Sequence, residues 1–219
     1  MEGLGYQVSC VDPCPFTRGK GAELTIVVIH VDDGLCTGSK PLVMEALAEI
    51  GKKLEIKQIG EAHVFLGLEI WRCGDRVWLG QETYIASMLE RFNMNGCKPA
   101  KTPIEVGKIL IKEGEVPEEG TPYAACVGAL VYAATMTRPD IAYAVGSLCR
   151  YMAAPTKEHW QVAKRVLSYL AGTASIGIIY TKGGGAAEAF GDADYAADID
   201  TRRSGSLVKK NGGALLWSS

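Results

Sequence analysis

Two adjacent aspartates, Asp32 and Asp33, interrupt the apolar segment LTIVVIHVDDGLCTGS at residues 24–39. Carboxylates are hard oxygen donors, and Mg2+ is commonly held by one or two of them together with substrate phosphates. Paired ions of this kind clamp the attacking and leaving oxygens in nucleotidyl transfer. Mostly β-branched residues precede the pair and a short apolar run follows it. That pattern predicts a β-hairpin with Asp32 and Asp33 at its turn. A plain turn also fits, because Asp-Gly, here Asp33-Gly34, is favoured where φ is positive. The strand before the pair is nearly all apolar, so burial of both its faces is expected. Two like charges at the end of such a strand are costly unless a cation or water compensates.

A second acidic group lies in GDADYAADID, residues 191–200, with Asp192, Asp194, Asp198 and Asp200. The Gly and terminal Glu of an EF-hand are missing, which excludes that site. A strand ending at Asp192 could offer a carboxylate to a two-metal nuclease centre. A solvated acidic loop paired with Arg202 and Arg203 is the alternative. The three histidines lack metal-ligand spacing. His30 reads as a packing residue, His63 starts a strand, and His159 falls in the first turn of a helix.

These groups need elements to hold them. Residues 24–31 read as a strand, and Pro41 opens a helix with Val43, Leu47, Ile50 and Leu54 on one face. Residues 62–71 read as a strand, with 76–79 pairing back across Cys73-Gly74-Asp75. An amphipathic helix over 81–94 carries Ile85, Met88, Leu89 and Phe92. The polar stretch 95–122 reads as a loop or linker. Two helices follow, over 123–136 and 139–152, parted by Thr137-Arg138-Pro139-Asp140. Thr156 then caps a helix over 157–171, ended by Gly172. Strands are expected at 175–181 and 187–192, before a polar tail with the apolar run 214–217. The fold class is α+β.

Composition sets the outer bounds. Of 219 residues, 47% are hydrophobic and 22% charged, as in an ordinary globular protein. No apolar run approaches the roughly 20 residues of a membrane span, and the N-terminus lacks the pattern of a signal peptide. Seven cysteines with no C-x-x-C suggest a reducing compartment, cytoplasmic or nuclear, and neither a disulfide framework nor a zinc site. The net charge is −2, so nucleic-acid binding would rest on local patches and be salt-sensitive. Lys157, Lys164 and Arg165 form one such patch. Others are Lys98 with Lys101, Arg202 with Arg203, and Lys209 with Lys210. Taken singly, each also fits a solvated surface.

Together these segments resemble the Pol polyprotein of copia-type LTR retrotransposons, collinearly over nearly the whole chain. VVIHVDDGLCTG is similar to the polymerase motif written Tyr-Val-Asp-Asp, with His30 at the tyrosine. FLGLEI, residues 65–70, resembles the primer grip. Residues 81–104 resemble the passage from palm to thumb. Residues 127–173 resemble the thumb helices, including the family-specific TRPDIAYAV, and 191–204 resemble the opening of a tethered RNase H domain.

The resemblance implies a partial palm over 1–80, a helical thumb-like region over 81–173 with its linker at 95–122, and a truncated RNase H-like mixed sheet over 174–219. Asp32 and Asp33 would be polymerase carboxylates that bind Mg2+. Asp192 would be the first metal-binding carboxylate of RNase H. Phe65, Leu66 and Gly67 would lie near the primer terminus, and the partner would be an RNA/DNA template–primer duplex, with Lys157, Lys164 and Arg165 along its backbone. In the family, the fingers and the first catalytic aspartate precede the position of Met1, and further RNase H carboxylates follow the position of Ser219. The stretch SGSLVKK, residues 204–210, is shorter than the family pattern, so a damaged strand is expected there. The chain alone is therefore expected to lack polymerase and RNase H activity. A non-catalytic nucleic-acid-binding module and a poorly folding translated relic are the other two readings.

Overall fold

A computed structural model of the chain describes residues 1–9, 12–192 and 205–218. The chain forms two compact units, Met1–Leu66 and Gly67–Ser219. It combines helices with antiparallel sheets, as the α+β expectation holds.

The first unit is a meander. Strands β1 (Gln7–Val8), β2 (Pro15–Arg18), β3 (Thr25–His30) and β4 (Asp33–Thr37) pair antiparallel in chain order. Helix α1 (Lys40–Gly51) follows, with Pro41 in its first turn. Ala46 and Ile50 of α1 are buried with Tyr6 and Val27, which closes one face of the sheet. Arg18 adds ion pairs to Glu45 at 3.5 Å and Glu49 at 2.5 Å. The expected burial of β3 on both faces is corrected. Thr25 and Val27 are buried, but Ile26 and Val28 are half-buried and His30 is exposed. Helix α1 lies against the Thr25–Val27 side of the sheet. Short strand β5 (Val64–Phe65) ends the unit.

The second unit is built on helices α2 (Glu82–Arg91), α3 (Tyr123–Met136), α4 (Ala142–Cys149) and α5 (Lys157–Gly172). Ile85, Val127, Leu130, Leu148, Val166 and Leu167 meet in its fully buried core. Strands β6 (Leu68–Cys73), β7 (Arg76–Gly80) and β8 (Ile178–Thr181) pair antiparallel in that order. A further antiparallel sheet joins β9 (Glu188–Asp192), β10 (Gly205–Lys210) and β11 (Gly213–Ser218), with β10 central.

Several boundaries move for local reasons. Helix α2 stops three residues short of the expected 94 because Asn93 takes φ +55°. Its N–H reaches the Glu90 carbonyl at 3.1 Å and the Met94 N–H reaches Leu89 at 2.8 Å, a Schellman closure. The expected helix over 139–152 begins as a 3-10 turn, Pro139–Ile141, and α4 ends at Cys149. The expected strand over 62–71 is broken, since Leu66 and Gly67 have φ of +51° and +76° and form a turn between β5 and β6.

Of the stretch expected to be damaged, 204–210, Ser204 lies outside the described residues, and the pairing of the rest with its neighbour shifts register between Val208 and Lys209. Residues Gly205–Lys210 form β10, paired on both edges. Asn211-Gly212, both at positive φ, is the two-residue turn that links it to β11. Trp217 of β11 donates its indole N–H to the Ala134 carbonyl at 2.7 Å and ties that sheet to α3.

Residues 95–122 contain no helix or strand, as expected of a linker, yet they are fastened along α5 as a strap. Leu110 is buried in the helical core, and the Tyr151 hydroxyl donates to its carbonyl at 2.7 Å. The Ala100 N–H donates to the Ser168 carbonyl, and the Lys157 N–H to that of Glu115.

Candidate active site

The paired aspartates sit on the tip of the β3–β4 hairpin. His30 of β3 faces Asp33 of β4 in the register, so the two-residue turn is Val31-Asp32, one residue earlier than expected. Gly34 lies within β4 opposite Ile29 and is not a turn residue. Val31 has φ +52° and is 84% exposed. A β-branched residue avoids that region, and the first central position of a primed turn normally carries Gly or Asn. Nothing around so exposed a side chain compensates, so the strain belongs to the tip itself. Asp32 and Asp33 are both exposed. Asp33 shares one face of the sheet with His30, Val28 and Ile26, because side chains alternate along a strand. His30 is thus an exposed neighbour of Asp33, not a packing residue.

Two adjacent carboxylates suit Mg2+, which keeps several waters and takes one or two carboxylates plus substrate phosphate oxygens. Among the described residues no group of three or more His, Cys, Asp or Glu side chains converges as a metal site. The donor chemistry therefore fits a shared site, in which other oxygens complete the shell.

The turn at Leu66-Gly67 is held from one side. A Cβ on Gly67 would lie 2.8 Å from the Tyr132 hydroxyl oxygen, and φ is +76°. The backbone conformation favours glycine, and a side chain there would also have to displace the Tyr132 hydroxyl. Phe65 and Leu66 are half-buried and Gly67 is exposed.

The basic trio falls on one helix, α5, with Lys157 and Lys164 two turns apart. Lys157 pairs with Glu115 at 2.5 Å and Arg165 with Glu105 at 3.2 Å, both acids coming from the strap. Arg165 also donates to the Thr102 hydroxyl. Lys164 lies 5.8 Å from the centre of the Trp160 ring. The patch exists, but two of its three charges already have acidic partners. Asp192 closes β9 opposite Gly205. Asp194, Asp198, Asp200, Arg202 and Arg203 lie outside the described residues.

Two polar clusters escaped the residue-by-residue reading. Arg138 is completely buried and forks onto both carboxylate oxygens of Asp140, at 2.9 and 2.7 Å. It also donates to the Thr173 carbonyl and hydroxyl, and the Tyr169 hydroxyl donates to Asp140 at 2.8 Å. Burial pushes the Asp140 carboxyl up, but the hydrogen bonds and charge of Arg138 and the Tyr169 hydroxyl outweigh it and hold it below the usual carboxylate range. The most family-specific motif of the chain therefore fastens the α3–α4 turn to the end of α5. The signal was an arginine two residues before an aspartate, with proline between.

The second cluster is the start of α5. The Thr156 hydroxyl accepts from the His159 N–H, and the His159 Nδ1 accepts from the Thr156 N–H at 2.9 Å. Histidine replaces the usual Glu or Gln of a capping box. It is fully buried, stacks on Tyr151 at 3.9 Å, and is held below the ordinary imidazole range by burial.

The family described as reverse transcriptase (RNA-dependent DNA polymerase) matches residues 2–106. The chain is 37% identical, over 233 aligned residues, to the retrovirus-related Pol polyprotein from transposon TNT 1-94 of Nicotiana tabacum. That alignment covers 100% of this chain and 18% of the relative. The Pol polyprotein from transposon RE1 of Arabidopsis thaliana is also 37% identical, over 99% of this chain and 15% of its own length. An uncharacterized mitochondrial protein of Arabidopsis thaliana is 34% identical over 81% of this chain and 75% of its own. The chain thus spans less than a fifth of the two Pol polyproteins. No solved structure matches it.

Proposed function

The chain belongs to the reverse transcriptase (RNA-dependent DNA polymerase) family of retrotransposon Pol polyproteins, and from that premise we propose that it supplies the metal-binding hairpin of an RNA-directed DNA polymerase, active only with further Pol segments. In this reading residues 1–80 are part of the palm, 81–173 the thumb with its linker, and 174–219 the start of an RNase H-like sheet. Asp32 and Asp33 would hold Mg2+, which when bound supplies positive charge to the phosphate oxygens and the primer hydroxyl. The two carboxylates would fix where that charge sits. Phe65, Leu66 and Gly67 would orient the primer terminus, and orientation of this kind is a large part of phosphoryl-transfer catalysis. Asp192 would serve the RNase H centre, and α5 would track the backbone of an RNA/DNA duplex through Lys157, Lys164 and Arg165.

The observation that carries the proposal is the exposed, strained hairpin tip with two adjacent carboxylates. Primer extension tests it. The 219-residue chain alone should extend no primer, whereas a Pol protein containing it should do so with Mg2+. Asp33→Asn in that protein should lower the rate by at least about 100-fold. Undiminished extension by Asp33→Asn would remove the site. Extension by the isolated chain that vanishes in Asp33→Asn would keep the site and refute the need for other segments.

A further inference from the structure

The β6–β7–β8 sheet has one face that the proposed reaction does not use. Ile70 and Ile178 are buried on one side. On the other side Trp71, Trp78 and Ile179 lie directly across from one another on three neighbouring strands. Trp71 is 64% exposed and Ile179 is exposed too.

Trp78 is seated in a way that only glycine permits. A Cβ on Gly80 would fall 1.9 Å from the Trp78 Cη2 atom, and one on Gly177 would fall 2.7 Å from its Nε1. The indole therefore lies across two bare backbone positions.

Charge at this face favours phosphate. Arg76 occupies the same side of β7 as Trp78, since the two are two residues apart on one strand. It is exposed and forms no ion pair among the described residues. Lys182 is exposed at the same end of the sheet, where its N–H donates to the Asp75 carbonyl. Of the acids near this face, Asp75 is exposed in the turn before Arg76, and Glu69 is turned to another task. Its carboxylate accepts the Thr83 N–H at 2.6 Å in the first turn of α2.

We infer that the Trp71–Trp78 face is a stacking platform for the unpaired bases of a single-stranded nucleic acid, with Arg76 holding its backbone. Base stacking on exposed aromatic rings beside a basic side chain is how sequence-tolerant single-strand sites are built. This goes beyond the polymerase reading and is independent of the hairpin carboxylates.

Tryptophan fluorescence of the whole 219-residue chain tests it, with a 12-nucleotide oligouridine and a 12-nucleotide oligodeoxythymidine as probes at low salt. Both should quench. Trp71→Ala should weaken binding about 5- to 150-fold, and Trp71→Phe should restore most of it. Arg76→Gln should reduce the slope of log affinity against log salt by about 0.7. A 12-base-pair RNA–DNA hybrid should leave Trp71 unquenched, because its bases are already stacked. Single-strand affinity unchanged in Trp71→Ala, with the circular dichroism of the wild type, would overturn the proposal. So would a concentration-dependent dimer that Trp71→Ala dissolves and oligouridine does not disturb, which would assign the face to a second copy of the chain. Failure of hybrid binding, or of primer extension by a Pol protein that contains the chain, would count against the polymerase reading and leave this one standing.

Discussion

Val31 carries the strain of the hairpin tip proposed to bind metal, and its side chain is exposed. Val31→Gly should therefore stabilise the chain by about 1 kcal/mol, read as a rise in melting temperature. A fall instead would mean that the left-handed conformation is held by contacts of the valine. Arg138 is the opposite case, a buried cation that donates four hydrogen bonds, two to Asp140 and two to Thr173. Arg138→Met should cost about 3 kcal/mol, because the Asp140 carboxylate and the Thr173 carbonyl lose their partner. Denaturant titration would measure this. The same residues give acid sensitivity. His159 and Asp140 both titrate lower in the folded chain than their ordinary values. Their contributions are thus complete above the unfolded values and are lost as pH falls, from about 6.5 downward for His159 and about 3.9 downward for Asp140. Melting temperature against pH should decline in two stages, and His159→Gln should remove the first while keeping the capping box.

Elements announced themselves in the sequence where their ends carried chemistry. Helix α5 was legible because Thr156 caps it and a glycine closes it. The β3–β4 hairpin was legible too, but its turn was misplaced by one residue, since nothing local marks a valine for positive φ. The same blindness hid the break at Leu66-Gly67, where a leucine takes a glycine-like conformation inside an apolar run. In β11 the apolar residues are consecutive, and the register shifts between Val208 and Lys209 of β10, which erases the alternation that marks a strand. The strap was concealed by its polar composition, within which Leu110 is buried. Leu110→Ala should cost about 2–5 kcal/mol, far more than a loop residue would, and thermal melting would show it.

The two units differ in how much core they own. Met1–Leu66 closes one sheet face with a handful of side chains, whereas Gly67–Ser219 encloses a full helical core. Amide exchange should therefore be slowest in α3 and α5 and markedly faster in β3 and β4. Equal protection would contradict that ranking. The proposed division of labour at residues 80 and 173 is one of role, and it need not coincide with compactness. Val106 is fully exposed between two anchors, Glu105 held by Arg165 and Lys108 held by Glu158. A protease that cuts beside Val106 would sever the chain and release nothing, because the upstream piece keeps α2 packed against α5 and the downstream piece keeps Leu110 in the core. Such a nicked protein should run as two bands in denaturing gels and as one species in gel filtration. In that sense the peptide bond at Val106 is dispensable, and the second unit is already two cooperating fragments that happen to be translated together.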